Sequence, residues 1–256
     1  MLTDPLILTL VCLSGTFGGG LLGLWLRARV LVHHVDQDVE ESVKLGVGMV
    51  ATMTALLLGL IMASAKSNFD SVDQAVREAA TRIITVDLAL ADLGEPAIAA
   101  RQAWHKAVSQ LVESVLNQGA PERNARLLQP ESIRLMDRTA NLTGVLTTHN
   151  ARQQQLQAKV LDQIQGLIES RWLTLYIGQS TIPPYFMMAV LAWLAITFFC
   201  YGLISPLRRV VVLVFFICSL SAASAILLTL ELEMPFDHWL TVSWQPLIEA
   251  RRVILR

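Results

Sequence analysis

The chain has 256 residues; 54% are hydrophobic and only 16% are charged. A soluble domain averages about 25% charged residues, so this composition makes lipid part of the protein's solvent. The formal net charge of −1 excludes the global basic field that draws a protein to nucleic acid.

A helix needs roughly 20 apolar residues to cross a hydrocarbon core about 30 Å thick. Leu6–Leu26 is the first run of that length, free of charge and closed by Arg27 and Arg29. Met1–Pro5 carries only Asp4, so the basic start of a signal peptide is missing, and no small-x-small cleavage pattern follows. The run is expected to stay as a span. Within it Gly15, Gly19 and Gly23 recur every four residues. A ridge without Cβ atoms lets another helix approach closely, which drives association in lipid. Its partner is either span two of the same chain or a second subunit.

The link to the next span holds His33 and His34 near Asp36, Asp38, Glu40 and Glu41. Adjacent helical residues point about 100° apart, so the two histidines form no chelate and the segment reads as solvated. Span two is Leu45–Ala65, bracketed by Lys44 and Lys66. Gly48, Thr52, Ala55, Gly59, Ala63 and Lys66 alternate by three and four and share one face. Such a face either packs a helix or lines a narrow water-filled path.

Lys66 to Pro184 is electrically balanced, with 12 Lys/Arg and 12 Asp/Glu. Val72, Val76, Ala79, Ile83, Val86 and Leu90 recur at helical spacing. Gly94 and Pro96 stop and restart the helix, and Ala100, Ala103, Ala107, Leu111 and Val115 mark the next stripe. Gly119-Ala120-Pro121 ends it and Pro130 opens a third helix, with Gln153–Gln157 on a solvated face. Ile164, Leu167, Trp172 and Leu175 then lead towards the membrane, and Ile182-Pro183-Pro184 breaks the chain before span three. His105 and His149 stand alone. The segment shows no strand-like alternation, phosphate loop or repeat, so a three- or four-helix bundle is expected.

Spans three and four, Tyr185–Ile204 and Val210–Leu230, are joined by the tight Ser205–Arg209 turn. Ser219, Ser221, Ala222, Ala223, Ser224 and Ala225 suit close packing of span four. Span four ends in Glu231-Leu232-Glu233-Met234-Pro235-Phe236. Spans two and four leave the membrane on the same side, which sets Lys66 and Asp70 level with Glu231 and Glu233. Lys66 and Glu231 could form a salt bridge, or these charges could ring a pore mouth once subunits assemble. No nucleophile or metal-ligand set accompanies the carboxylates, so a catalytic pair is disfavoured. His238, Trp239 and Trp244 suggest a tail lying on the membrane surface.

These elements give an all-α integral membrane protein with a large helical insert between spans two and three. The expected units are a transmembrane hairpin at 1–65, the extramembrane insert at 66–184, a second hairpin at 185–230 and an interfacial tail at 231–256. Arg27, Arg29, Lys44, Arg208 and Arg209 lie in the two short connections, which the positive-inside rule puts in the cytoplasm. The insert and both termini are then extracytoplasmic, with Arg251, Arg252 and Arg256 voting the other way. Cys12, Cys200 and Cys218 all sit in apolar runs and support neither a disulfide framework nor a zinc site.

Thr54–Leu60 with Ala63–Ser67, Trp193–Phe199 with Gly202 and Pro206, and Leu230–Phe236 together resemble the bacterial bestrophin-like family. The family pattern at the last of these is approximately Glu-Leu-Asp-x-Pro-Phe and then a small residue, where this chain has Glu233 for the Asp and Asp237-His238 beyond. The resemblance spans nearly the whole chain. It implies an oligomeric channel, conducting anions in true bestrophins, with four spans per subunit and a helical domain outside the membrane. True bestrophins keep that domain in the cytoplasm, opposite to the placement from charge. Read this way, Gly48, Thr52, Ala55, Gly59 and Ala63 line the pore, Lys66, Glu231 and Glu233 sit at its mouth, and Gly15, Gly19 and Gly23 pack helices. The expected partners are the bilayer, further copies of the chain and an inorganic ion, in the cell membrane, with no cofactor, metal or nucleic acid. The alternative is a non-conducting scaffold or envelope sensor acting through the insert. An enzyme is disfavoured, because the spans offer Ser, Thr and Cys but no His, Asp or Glu to activate them.

Overall fold

A computed structural model describes residues 5–30, 37–116, 130–148, 150–177, 184–234 and 239–256. Its helices are α1 (Pro5–Val30), α2 (Gln37–Leu93), α3 (Ile98–Leu116), α4 (Pro130–Gly144), α5 (Ala151–Ile177), α6 (Pro184–Ile204), α7 (Arg209–Glu233) and α8 (Gln245–Ile254). A short 3-10 turn, Glu95–Ala97, joins α2 to α3, and the described residues hold no strand. Among the described residues four helices are long and apolar enough to cross a membrane: Pro5–Arg29, Glu40–Leu93, Tyr185–Ile204 and Arg209–Glu233. They contain the four spans expected from the sequence.

The chain divides into two compact units, Met1–Asn68 with Ser180–Glu233 and Phe69–Gln179 with Met234–Arg256. The first is the membrane bundle. Its four helices meet in one apolar cluster: Cys12 from α1, Ile61 from α2, Met187 and Val190 from α6, and Ala223, Ile226 and Leu230 from α7. Elsewhere α1 lies against α6 through glycine. A methyl on Gly19 would stand 2.9 Å from the Ala195 carbonyl oxygen, and one on Gly23 would stand 3.0 Å from Gly202 Cα. The partner of this ridge is thus span three, where the sequence suggested span two or another subunit. Gly15 faces open space and takes no part. The reason is register: each step of four residues turns the ridge by about 40° around the helix, so Gly15 lies off the face on which Gly19 and Gly23 meet α6. Against α7, α1 packs aromatic edges, with Phe17 and Phe216 centroids 5.5 Å apart.

The second unit has a larger core. Val72, Val76, Ile83, Val86 and Leu90 of α2 meet Trp104, Val108 and Leu111 of α3, Met136 of α4, and Val160, Ile164 and Leu167 of α5. Gly94 has φ +75°, which lets the chain turn sharply out of α2. Pro130 opens α4 as expected. The third helix does not run on from there: α4 ends at Gly144 and α5 starts at Ala151. Asn150 accepts the Gln153 N–H at 2.9 Å and so caps the new helix. Gln157, expected on a solvated face, donates to the Thr143 carbonyl at 2.7 Å and closes the C-terminal end of α4.

The tail expected on the membrane surface is a further correction. Leu247, Ala250 and Ile254, one face of α8, are buried in the core of the second unit, and Arg251 lies 3.8 Å from Glu113 of α3. An amphipathic helix has the same pattern whether it floats on lipid or covers a protein core, and here it covers a core. His33, His34, Asp36, His149, Asp237, His238 and the breaks at 119–121 and 182–183 lie outside the described residues.

Candidate functional site

The spanning part of α2 has two unlike faces. Val47, Thr54, Ile61 and Ala65 recur at helical spacing and are buried in the bundle. The expected small-residue stripe lies on the other side: Thr52, Ala55, Gly59 and Ala63 are exposed and Gly48 is half-buried. A Cβ placed on Gly48 or Gly59 would meet nothing within 4 Å. Beside the stripe stand Leu45, Met49, Met53, Leu56 and Leu60, all largely exposed. One protomer therefore leaves a strip of small side chains uncovered next to a band of large apolar ones. The large band suits lipid or a neighbouring apolar surface, and the small strip leaves room for something narrow.

The strip's polar contribution is limited and oriented. Thr52 donates its hydroxyl to the Met49 carbonyl at 2.8 Å, which turns the lone pairs of its oxygen outward as acceptors. The buried Thr54 does the same to Val50 at 2.7 Å and points into the bundle. The three mouth candidates differ in exposure: Lys66 is exposed, while Glu231 and Glu233 are 7% and 4% exposed at the end of α7. Among the described residues no group of three His, Cys, Asp or Glu is placed to hold a metal ion.

One polar cluster was not anticipated. Asp87 of α2 is buried, accepts from Arg101 of α3 at 2.9 and 2.8 Å, and lies 2.6 Å from His105 Nε2. Burial opposes its charge, but the hydrogen bonds and charges of Arg101 and His105 win and hold its carboxyl below the usual range. His105 had stood out in sequence only as an isolated histidine. Its partner is eighteen residues away on another helix, a pairing no local pattern announces. These bonds join α2 to α3, so the cluster reads as structural.

The Bestrophin-like domain family matches residues 14–247 of this chain. No curated protein matches it. Among solved structures, two mutant forms of a bacterial bestrophin homologue from Klebsiella pneumoniae are similar. One has TM-score 0.67 at 14% identity and covers 95% of this chain and 96% of that one. The other has TM-score 0.68 at 15% identity, covering 98% and 97%. A third structure, described as a membrane protein, has TM-score 0.67 at 14% identity and covers 98% and 97%. At these identities the likeness is one of fold.

Proposed function

Given that this chain belongs to the bestrophin-like family, we propose that it is an oligomeric membrane ion channel whose pore is lined by the small-residue face of α2. The observation that supports this reading is the exposure of Thr52, Ala55, Gly59 and Ala63 while Thr54, Ile61 and Ala65 on the other side of the same helix are buried. A face that served only to pack this chain's own bundle would be covered in the protomer. Copies arranged about an axis would bring the strips together around a path, with the large apolar band meeting lipid or the next subunit. Of the expected mouth charges, Lys66 stands on the exposed surface of the same helix and is retained.

The family resemblance suggests anions as the cargo. The outward lone pairs of Thr52 suit cations instead. Ion flux from liposomes holding the purified protein, with separate chloride and potassium gradients, distinguishes the two. Gly59→Trp should abolish the flux of either ion without unfolding the protomer, because nothing stands within 4 Å of the Gly59 Cβ position. Unchanged flux through folded Gly59→Trp protein would remove this face from the pore. Absence of flux from the folded, oligomeric parent would instead favour the scaffold or sensor reading.

A further inference from the structure

We infer that the end of the membrane bundle where α1, α6 and α7 meet binds the phosphate headgroup of an anionic phospholipid, through Arg29, Arg208 and Arg209. Close contact brings the three helices together there. A methyl on Gly23 would stand 3.0 Å from Gly202 Cα, and one on Gly20 would stand 2.9 Å from the Phe215 ring. Arg29 lies six residues beyond Gly23, and Arg208 six beyond Gly202. A tight turn, in which the Ser205 N–H donates to the Gly202 carbonyl, carries the chain from α6 into Arg208 and Arg209. Arg29 closes the apolar length of α1 and Arg209 opens that of α7, so both stand at the depth of lipid headgroups.

The packing of the bundle does not account for these charges. Lys44, at the same end, is held by Glu40 at 3.0 Å, and Arg27 also faces the charge of Glu40. Arg29, Arg208 and Arg209 are exposed, and among the described residues none of the three forms an ion pair. Arg208 and Arg209 stand at the N-terminus of α7, the positive end of its dipole, and no acidic residue occupies its first turn. The helix gains nothing from cations there, so the charge that balances them comes from outside the chain. The surroundings suit a lipid rather than a soluble anion. Leu207 and Val210 flank the two arginines and are largely exposed, as is Trp25. The Arg29 guanidinium lies over the Trp25 ring at 5.3 Å, which holds it at the interface. Apolar side chains beside guanidinium groups match acyl chains below a phosphate.

The test is lipid competition on the full-length protein in detergent, with equimolar phosphatidylglycerol and phosphatidylcholine added and the lipid bound per subunit counted by native mass spectrometry. The parent should retain phosphatidylglycerol over phosphatidylcholine by roughly tenfold or more, since each basic residue at an anionic interface contributes up to about fivefold. Arg208→Gln/Arg209→Gln should cut that preference to within about threefold, and Arg29→Gln to a value between. Arg134 and Arg138 are exposed on α4, and Arg134→Gln/Arg138→Gln, with the same loss of charge, should keep the parent preference. Millimolar inorganic phosphate should leave the lipid in place. Equal retention of both lipids by the parent, a result that needs no variant to fold, would overturn the inference. An unchanged preference in Arg208→Gln/Arg209→Gln, an equal fall in the α4 control, or displacement of the lipid by phosphate, the mark of a site for a soluble anion, would overturn it as well.

Discussion

The membrane bundle and the second unit meet one problem, the burial of polar atoms, in different ways. In the bundle the buried threonine hydroxyls turn back on their own helices: Thr16 donates to the Cys12 carbonyl at 2.7 Å, Thr197 to Trp193 at 2.7 Å and Thr229 to Ala225 at 2.8 Å. The helices then meet through backbone and apolar surface, glycine against carbonyl. In the outer unit the buried threonines do the same, Thr139 to Leu135 and Thr143 to Thr139, but other buried polar groups bond between elements. Asp87 reaches Arg101 and His105, and Trp104 donates to the Ile83 carbonyl at 3.2 Å. In lipid an unmet polar group has no water to fall back on, so local satisfaction is the safe arrangement. In water, a specific cross-link can select one packing among several, at the cost of desolvation. The difference teaches where each unit is fragile: the bundle in its shape, the outer unit in its polar partners.

The largest expected effect follows from the first half of that contrast. Gly23→Val places a branched side chain against the Phe199 carbonyl oxygen and 3.0 Å or less from Gly202 Cα, both backbone, which cannot swing aside. The cost should exceed about 3 kcal/mol, at the upper end for overpacking. Gly15→Val, four residues apart on either side of Gly19, meets nothing within 4 Å and should cost less than about 1 kcal/mol. Thermal unfolding in detergent of the two variants measures the difference. Equal melting of both would break the argument that the α1–α6 approach holds the bundle.

That pair of glycines also marks how far the sequence could be read. The four spans were legible because long uncharged runs admit few alternatives. The G-x-x-x-G spacing announced a close approach but carried no information about which helix approaches. Choosing span three over span two depends on tertiary packing, to which Phe199 and Gly202 contribute. The α2 stripe was legible as a face, and its exposure could not be, because periodicity is blind to what covers a face. The break between α4 and α5 was missed because its one signal, Gly144, is a lone glycine of the kind a helix interior tolerates. The tail was misjudged because an amphipathic helix suits lipid and protein alike. Asp87 was missed since a lone carboxylate in an apolar stripe says nothing of its partners.

A middle-sized effect probes the outer unit. Asp87→Asn keeps the volume and removes the charge that binds Arg101 and His105. Arg101 is 40% exposed and can rehydrate, which discounts the loss to about 2 kcal/mol from the 3–5 typical of a fully buried pair. The pH dependence has a definite sign. The folded carboxyl titrates below its ordinary value, so its stabilisation is complete above about pH 4 and is lost as pH falls through the depressed folded value. Acid unfolding of the parent should therefore steepen below about pH 4, and the Asn variant should lose that part of the slope. An unchanged acid limb in Asp87→Asn would assign the acid sensitivity to other carboxylates.

The smallest expected effect is the sharpest test of the comparison. Thr16 is as buried as Asp87, at 1% exposure, yet its hydroxyl bonds Cys12 at 2.7 Å and Leu13 at 3.3 Å, both on its own helix. Thr16→Val keeps the branched shape and removes only that hydroxyl. Both carbonyls it serves lie within α1, where residues 16 and 17 supply the backbone N–H groups that bond them in the regular helix ladder. No donor or acceptor on another helix is stranded, so the change should cost under about 1 kcal/mol, within the range measured for hydroxyl contacts in membrane proteins. A cost near that of Asp87→Asn would mean that the hydroxyl also serves a neighbouring helix, and the division between local satisfaction in lipid and cross-linking in water would not hold at this position.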